Sequence, residues 1–591
     1  MDVDAPQQSE DLFEDPRPSG PILAVDVGTV NTRALLIDSA DGMYRFFTWG
    51  EAPSTAQAPW SNIIQGVAWA VEQITRTTGR ALMDERFYIV MPERTPYLGV
   101  DQVVATASGG QPIRAVLIGL MPEFSIASSR RASERAYFQI VDSYSLVDGV
   151  APETILNRLL KDPPDVIILS GGTDGGTVEA LRRRIDLVTL ACASTDRSRR
   201  PSILYAGNAE LADEVADLFQ EIGINHLIAP NPNPILGVEQ LDALRAEIVK
   251  LYRAQKSRST SGFDEINDWS ELGIVPTAQG FGQLIAILGV LEGENILGID
   301  VGSSATTVAA SSDGESYLSV YGYLGVGLAA RSSLDSVRVE AVARWMVDAS
   351  PEPDDVRDAI WNKWLFPHTL PATPEARDLE YGFAREVVRT ALRRLRDRLG
   401  QPLPAFQQIL LSGATLTRAP HPGIGVMSLL DGLLPTNSPR ILSDAYGIAP
   451  MLGVMSIANP RAVVQVLDTG AFLEMARVLV AEGRARPGDI VARGTLTRPS
   501  TGDVIEFEAP YGTFTVVPLP QGDVAELALE AKGVTFDLPG GRRGYTTQVY
   551  GSQVGVVIDA RGRPYRMPRD AGARRTLIGR WQTDITGREF S

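Results

Sequence analysis

The chain has 591 residues, of which 44% are hydrophobic and 21% charged, the composition of a folded chain with room for several domains. Its formal net charge of −17 argues against general binding to nucleic acid or to anionic membrane surfaces, since both need a basic face. A single cysteine, Cys192, excludes an internal disulfide framework and fits a reducing compartment. The three histidines are widely scattered, and nothing supports a zinc site or a Ser-His-Asp triad.

Residues 1–20 are acidic and contain several prolines but no apolar core segment. They predict a disordered acidic tail rather than a signal peptide. No apolar run approaches the roughly 20 residues that a membrane helix needs. The nearest candidate, Phe281 to Leu291, ends at Glu292 and Glu294. We therefore expect a cytoplasmic protein.

The first patterned stretch, 22–38, has an apolar run, one aspartate, a turn of small residues and a second apolar run. This order predicts a β-hairpin with Asp26 at the end of its first strand. A carboxylate there suits a hydrated Mg²⁺ ion, which prefers oxygen ligands and keeps its waters. The groups available to an oxyanion such as phosphate are the amides and hydroxyls of Gly28, Thr29, Asn31 and Thr32.

Alternating strands and helices follow the hairpin. Residues 50–55 read as a loop, and 60–78 as an amphipathic helix. From 165 to about 255, buried-type strands alternate with helices, which indicates an inserted parallel α/β segment. The strand 166–170 runs into the glycine-rich turn Gly171-Gly172-Thr173-Asp174-Gly175-Gly176, which is not a P-loop because no G-K-[ST] follows. The polar stretch 253–279 is the best linker candidate.

A second copy of the hairpin pattern occupies 296–310, and Asp300 lies 300 − 26 = 274 positions after Asp26. An isolated D-x-G-[TS] hairpin is more often an ordinary turn, but two with matching flanks predict two similar domains that offer phosphate-binding turns to one cleft. The corresponding turn residues are Gly302, Ser303, Ser304 and Thr306.

Three features follow the second hairpin. Residues 380–399 form an arginine-rich helix, and 408–412 form a strand that runs into a turn at Ser412, Gly413 and Ala414. Beyond about 470, short β-rich runs alternate with glycine and proline turns. They predict an appended β-rich domain with no catalytic constellation.

These segments resemble the superfamily of ATPases that includes actin, the heat-shock chaperones and the sugar kinases. The resemblance implies a first phosphate hairpin at 26–33, a second at 300–307 and an adenosine loop at 412–420. The sequence departs from the pattern twice: Arg33 replaces the usual lysine, and Gly413-Ala414 replaces paired glycines. The small-residue helix 444–453 resembles the element with which this superfamily returns to its first domain.

The resemblance implies an α/β fold: a two-domain, actin-like ATPase with ribonuclease H-like domains, an inserted α/β segment and a C-terminal β-rich domain. The expected boundaries place the first actin-like domain at 21–295, the inserted segment at about 165–255, the second actin-like domain at 296–470 and the C-terminal domain at 471–591.

A narrower set of motifs resembles the glutamate-mutase-associated MutL family, also called GlmL and unrelated to the mismatch-repair protein of that name. The match covers roughly 22–460. The segments that carry it are Asp26-Val27-Gly28-Thr29, Gly50-Glu51-Ala52-Pro53-Ser54-Thr55, Leu169 to Gly176, Tyr205-Ala206-Gly207-Asn208 and Gly298-Ile299-Asp300-Val301-Gly302-Ser303.

Members of this family accompany a cobalamin-dependent glutamate mutase and are thought to serve it as an ATP-using chaperone or reactivating factor. The resemblance implies ATP and Mg²⁺ as ligands, with Asp26 and Asp300 holding the metal and a mutase as partner. The chain is not itself the mutase, because it has no D-x-H-x-x-G run.

Two other functions stay open on this fold. A small-molecule kinase would need a carboxylate base, for which Asp174 is the one candidate. A nucleotide-binding scaffold would bind ATP without hydrolysing it. The sequence leaves open whether the chain is a weak ATPase.

Overall fold

The computed structural model describes residues 20–110, 112–347, 351–539, 544–563, 565 and 567–588. The predicted disordered tail, apart from Gly20, lies outside these described residues. Within them, no helix combines the length and the apolar character that crossing a membrane requires.

The strands are numbered along the chain. They are β1 (Ile22–Val27), β2 (Asn31–Ala40), β3 (Met43–Pro53), β4 (Gln102–Ala107), β5 (Ile113–Ile118), β6 (Phe138–Tyr144), β7 (Val166–Gly171), β8 (Ser202–Gly207), β9 (His226–Ile228), β10 (Ile274–Pro276), β11 (Ile296–Val301), β12 (Thr306–Ser312), β13 (Glu315–Tyr321), β14 (Gln408–Ser412), β15 (Arg440–Ser443), β16 (Leu473–Val480), β17 (Glu482–Gly483), β18 (Ile490–Thr497), β19 (Val504–Pro510), β20 (Phe514–Val517), β21 (Val524–Ala531), β22 (Val534–Thr535), β23 (Gly544–Tyr550) and β24 (Val556–Asp559).

The α-helices are numbered in the same way. They are α1 (Ile63–Thr78), α2 (Ala127–Ser133), α3 (Pro152–Lys161), α4 (Glu179–Ala193), α5 (Ala212–Glu221), α6 (Asp242–Ser259), α7 (Phe263–Trp269), α8 (Thr277–Glu292), α9 (Ala330–Ser333), α10 (Val339–Ala343), α11 (Pro353–Leu365), α12 (Pro374–Leu399), α13 (Ala414–Thr417), α14 (Pro422–Leu433), α15 (Ala449–Ala458), α16 (Pro460–Asp468) and α17 (Ala571–Thr586).

Two sheets repeat one strand order. The first runs β3-β2-β1-β4-β10, and the second contains β13-β12-β11-β14-β15. In each, the first three strands along the chain are antiparallel and the next two are parallel to the first strand. This is the order 3-2-1-4-5 of a ribonuclease H-like sheet, present twice. The prediction of a two-domain actin-like fold is confirmed.

The first strand of each sheet is covered on both faces, which explains its nearly continuous apolar sequence. Successive side chains of a strand point to opposite faces. Accordingly, Ile22 and Ala24 of β1 pack into one buried apolar cluster, whereas Leu23 and Val25 pack into another. Each hairpin is therefore fixed at the end of a fully buried strand, and its turn cannot shift independently of the core.

A third sheet lies between β4 and β10 in the sequence. Its strand order is β6-β5-β7-β8-β9, and all its pairings are parallel. We call it the inserted layer. The sequence analysis placed the inserted segment at about 165–255, whereas this sheet begins at Ile113. The difference arises because β5 pairs with β6 and β7 and not with the first sheet.

Two local predictions are wrong. Residues 50–53 belong to strand β3 rather than to a loop. The predicted linker 253–279 is mostly helical, because it contains the end of α6, all of α7 and the start of α8. Its apolar residues Phe263, Ile266 and Ile274 are buried, so the segment packs on the first sheet despite its polar composition.

The C-terminal region is β-rich, as predicted. Strands β19-β18-β21-β23 form a separate four-stranded sheet, but β16, β24 and β20 extend the second sheet beyond β15. The second sheet therefore continues past the expected boundary at 470/471, and the C-terminal region shares its core.

A buried ion network fixes this region to the second sheet. Arg561 contacts Asp431 of α14 at 2.6 Å and Asp559 of β24 at 2.9 Å, and all three side chains are fully buried. The guanidinium also lies 4.1 Å from the ring centre of Phe514 and 4.7 Å from that of Trp581. The network joins α14, β20, β24 and α17 at one point.

We expect the substitution Arg561→Ala to lower the free energy of unfolding by about 3–5 kcal/mol, because it removes the central cation of a buried network and leaves Asp431 only Arg385 and Asp559 only Arg563 as ion-pair partners. Urea unfolding followed by circular dichroism measures the effect. Arg493→Ala is the matched control, since Arg493 forms an exposed pair with Glu508 that is worth about 0–1 kcal/mol. Equal losses in the two variants would contradict the assignment of the network as a structural anchor.

Candidate functional site

A cavity of about 640 Å³ lies where the two hairpin turns face each other. Its lining comes from both sheets, from the turn after β14 and from the segment before α15. Eleven residues predicted from the sequence line it: Asp26, Gly28, Thr29, Asn31, Asp300, Gly302, Ser303, Ser304, Ser412, Gly413 and Ala414. The structure thus brings together three segments that are far apart in the sequence.

The two hairpin turns have the same geometry. The amide of Gly28 donates to the carbonyl of Asn31, and the amide of Gly302 donates to that of Ala305, both at 2.9 Å. The turns also touch across the cavity, since the hydroxyl of Ser304 donates to the hydroxyl of Thr29 at 3.0 Å. The cavity is therefore bounded by two equivalent turns, one from each lobe. The first lobe is the first sheet with the helices that pack on it, and the second lobe is the second sheet with its helices.

Two predicted ligand residues do not line the cavity. Thr32 and Thr306 are fully buried. Each is the residue where the returning strand pairs with the end of the first, opposite Val27 and Val301 respectively. Side chains alternate along a strand, so Asn31 and Arg33 line the cavity and Thr32 between them does not.

Asp26 is held in place by two threonines. Its Oδ1 accepts hydrogen bonds from Thr106 at 2.7 Å and from Thr277 at 2.8 Å, and its Oδ2 lies 4.0 Å from Arg33. Burial raises the pKa of Asp26 even though these partners lower it. The orientation of the carboxylate is thus fixed by β4 and by the start of α8.

Asp300 is the least constrained carboxylate of the cavity. Among the described residues it has no hydrogen-bond or ion-pair partner. Burial together with the charges of Asp444 and Asp26 raises its pKa to about 7. An acidic group in this position gains from any cation that enters the cavity.

Asp444 is a third carboxylate that the sequence analysis did not assign to the site. Its oxygens accept from the amides of Ile448 and Ala449 at the start of α15, at 2.8 and 3.1 Å, and from the hydroxyl of Ser412 at 3.0 Å. Burial raises its pKa. The available signal was its position directly after an apolar strand, the same placement as that of Asp26 and Asp300.

These carboxylates fit a magnesium ion that keeps its water shell. Within the described part of the chain, no three His, Cys, Asp or Glu residues are grouped so that they could ligate one ion directly. Magnesium in phosphate sites is usually bound by one or two carboxylates, by waters and by the substrate phosphates. Asp26 and Asp300 offer two such carboxylates to the cavity, and burial together with the charges of Asp444 and Asp26 raises the pKa of Asp300.

Glu51 connects the two lobes beside the cavity. It accepts from Asn31 at 2.7 Å and from Arg418, in the turn after α13, at 2.9 Å; Arg33 lies 3.3 Å away. Burial raises the pKa of Glu51, but the hydrogen bonds and charges of the two arginines outweigh it and lower the pKa overall. Because the segment 50–55 was interpreted as a loop, this bridge was missed.

Tyr137 brings the inserted layer into the cavity. It lies directly before β6, is buried, and lines the cavity. Burial and the nearby charges of Asp300 and Asp26 raise its pKa well above the ordinary value. No sequence pattern marked this residue.

Asp174 does not line the cavity. Its Oδ1 accepts from the amide of Ala209 and from the side chain of Asn231, both at 2.9 Å. These contacts connect the glycine-rich turn after β7 to the turns after β8 and β9. The structure therefore places Asp174 in the loops of the inserted layer.

Comparison with known proteins identifies the family. The family model for MutL protein matches residues 22–470, which is more than half of the chain. The chain belongs to the MutL protein family. The resemblance found in the hairpins and in the glycine-rich turn is thereby confirmed, and it extends over both actin-like sheets and the inserted layer.

A curated relative agrees with this assignment. Protein MutL of Clostridium tetanomorphum is 26% identical over 219 residues, which are 36% of this chain and 44% of that protein. The alignment thus spans less than half the length of the relative.

Solved structures with matching folds have low superposition scores. A nucleotide-free acetone carboxylase, described as carboxylating acetone with ATP, matches with a TM-score of 0.35 and 14% identity over 83% of this chain and 81% of that one. Component A of the (R)-2-hydroxyglutaryl-CoA dehydratase of Acidaminococcus fermentans matches with a TM-score of 0.25 and 9% identity over 74% of this chain and 96% of that one. The repeated strand order, rather than these superpositions, identifies the fold. Family and fold together support a nucleotide-binding, actin-like protein.

The raised pKa of Asp300 predicts that the folding stability of the metal-free protein depends on pH. Its ordinary value is 3.8, and its value in the fold is about 7. Below pH 4 the group is protonated whether the chain is folded or unfolded. Between pH 4 and 7 only the folded chain keeps the proton, so stability falls as pH rises and then levels off.

We therefore expect Asp300→Asn to raise the melting temperature in EDTA, by an amount that grows from pH 4 to 7 and is constant above pH 7. Differential scanning fluorimetry at each pH measures it. Asp313→Asn makes the same chemical change at an exposed turn and should show no such trend. A difference for Asp300→Asn that is flat or shrinks with pH would contradict the charge arrangement.

Proposed function

We propose that the chain binds ATP with Mg²⁺ in the cavity between the hairpins, hydrolyses it slowly, and uses the cycle as a chaperone or reactivating factor for a cobalamin-dependent mutase of the glutamate type. The observation that carries the nucleotide part is the meeting of both turns, both aspartates and the turn at 412–414 on one cavity. Two equivalent turns that face one cavity are the arrangement expected of a site that holds a phosphate chain from both sides.

The residues suggest a division of roles. Backbone amides and hydroxyls of the two turns would hold the phosphates, because successive amides in such turns form anion-binding concavities. Asp26 and Asp300 would hold the waters of a magnesium ion, which supplies positive charge to the phosphate oxygens. Hydrolysis of this kind depends mainly on positioning and on neutralising charge.

Arg33 is a cation of the first hairpin that lines the cavity. Its guanidinium lies 4.0 Å from Asp26 and 3.3 Å from Glu51, and it packs against the turn at Gly447, where a Cβ would lie 2.7 Å from its Nη1. An arginine held this way can contact a phosphate through more than one N–H group. We assign it the role of the lysine that usually closes the first hairpin.

The adenosine side of the cavity is formed by the turn after β14. Gly413 has a φ of +90°, and a Cβ there would lie 2.2 Å from the carbonyl oxygen of Val301. Only glycine fits this close approach. Ala414 lines the cavity, so its methyl group faces the space that the nucleotide would occupy.

Support for the mutase as partner comes from the family. The MutL match and the Clostridium relative named Protein MutL favour a protein that accompanies glutamate mutase. Two lobes around a nucleotide can adopt two arrangements, and a bound client can be acted on by whichever arrangement ATP favours. A small-molecule kinase is less favoured, because its one candidate base, Asp174, does not line the cavity.

Substitution of the two aspartates tests the site. We expect Asp26→Asn and Asp300→Asn each to reduce ATP turnover at least tenfold while the chain stays folded, since each removes charge next to the metal but keeps the shape of the side chain. Phosphate release at saturating Mg-ATP measures turnover. Asp174→Asn is the control, and its turnover should equal that of the parent chain.

If both aspartate variants hydrolyse ATP like the parent chain, the magnesium role is wrong. A loss confined to Asp174→Asn would instead favour the kinase function.

A reactivation assay tests the client role. A glutamate mutase is inactivated with a tightly bound, spent cobalamin and then mixed with this chain, fresh coenzyme and ATP. We expect mutase activity to return, and to stay absent with a non-hydrolysable ATP analogue or with the Asp300→Asn variant. Equal recovery with and without ATP would indicate that the chain acts only as a passive scaffold. No recovery under any condition would reject the reactivating role.

A further inference from the structure

The carboxyl ends of the inserted strands form a surface that the nucleotide site does not use. All pairings in this sheet are parallel, so the loops that follow its strands meet at one edge, the edge where ligands of open α/β sheets bind. We call this surface the carboxyl edge. It consists of the loop segments 119–126, 145–153, 172–179, 208–211 and 229–241, of which the second and third include the first residues of α3 and α4.

The loops of the carboxyl edge contact one another. The amide of Leu146 donates to the carbonyl of Leu120 at 3.0 Å, and the amide of Asp174 donates to that of Pro234 at 2.9 Å. Asn231 donates its side-chain amide to the carbonyl of Gly172 at 2.9 Å. A Cβ on Gly171, the first residue of the glycine-rich turn, would lie 2.8 Å from Cγ of Leu120, so the two linked groups of loops meet at that turn.

Large apolar side chains are exposed across this surface. Leu236 is 70% exposed, Val147 67% and Ile235 65%. Three further exposed apolar residues on the same loops are Met121, Leu146 and Val238. Large exposed apolar side chains gathered on the loops of one sheet edge are typical of a site of interaction.

The charges of these loops all have one sign. The five loops contain no lysine and no arginine, and they contain seven acidic residues: Glu123, Asp148, Glu153, Asp174, Glu179, Glu210 and Glu239. Only Glu239 forms an ion pair with another described residue, Arg131. An apolar area with a mainly acidic border argues against nucleic acid and anionic membranes as ligands, since both would be repelled.

We infer that the carboxyl edge is the docking surface for the client protein, which binds through an apolar face bordered by lysine and arginine. Apolar contacts at the centre would supply most of the affinity. The acidic border would steer the encounter and select the partner. The identity of the client rests on the proposed function; the position and chemistry of the surface do not.

The inserted layer can transmit what happens at this surface to the nucleotide cavity. It reaches the cavity through Tyr137, which lies between α2 and β6. It contacts the second lobe through Glu134, which lies 2.6 Å from Arg398 of α12. A client bound at the carboxyl edge is therefore attached to an element that touches both lobes.

The test measures binding of purified glutamate mutase subunits, immobilised for surface plasmon resonance, to the full chain in Mg-ATP. We expect the double variant Val147→Asp, Leu236→Asp to bind more weakly, with a Kd raised by about tenfold or more. The matched control is Val290→Asp, Leu291→Asp, which changes two exposed apolar residues of α8 and should bind like the parent chain.

A second pair of residues tests the charge. Glu123→Lys, Asp148→Lys should also weaken binding, and its Kd should change less between 50 and 500 mM salt than that of the parent chain. Parent-like affinity of both edge variants, or an equal loss in the α8 control, would overturn this surface while leaving the proposed function in place. If the parent chain itself does not bind the mutase, the client assignment fails and this inference fails with it.

Discussion

The structure depends on one electrostatic constraint: three carboxylates, from three separate segments, are held around a single cavity. Asp26 and Asp300 lie one residue before the ends of β1 and β11, and Asp444 directly follows β15. Burial raises the pKa of each. Folding alone would not favour such an arrangement, because like charges in a partly desolvated site oppose one another. A site whose charges are unfavourable until a cation enters is typical of functional rather than structural clusters.

The rest of the fold positions these groups. Helices α8 and α15 cross at two glycines, and a Cβ on Gly453 would lie 1.8 Å from the carbonyl oxygen of Gly280. This crossing brings the first residue of α8, Thr277, to Asp26, and it places the start of α15 against Asp444. After α15 the chain returns to the first sheet, where Gln465 of α16 accepts from the amide of Tyr44 at 2.8 Å. The two lobes are thus joined beneath the cavity by the crossing of α8 and α15.

Much of this could be predicted from the sequence. The two hairpins, their aspartates and the turn at 412–414 were visible because each combines an apolar strand with small turn residues, a pattern that local sequence fixes. The motif could not show that Thr32 and Thr306 do not line the cavity, because it names residues in order but not the face of the strand that each occupies. Tyr137 reaches the site through tertiary packing, which no local pattern encodes. Glu51 and Asp444 lie in patterned segments, but each makes a contact in the site with a residue distant in the sequence. The segment 253–279 was wrongly predicted to be a linker for a related reason. Its few apolar residues are buried by elements that are distant in the sequence.

The proposed roles of both hairpins require a nucleotide that lies between the two turns. The most direct test is a crystal structure with Mg²⁺ and a non-hydrolysable ATP analogue. We expect the β- and γ-phosphates between residues 28–31 and 302–305, a magnesium ion whose waters contact Asp26 and Asp300, and the adenosine beside 412–414. A nucleotide bound elsewhere, or phosphates contacting only one of the two turns, would contradict the account.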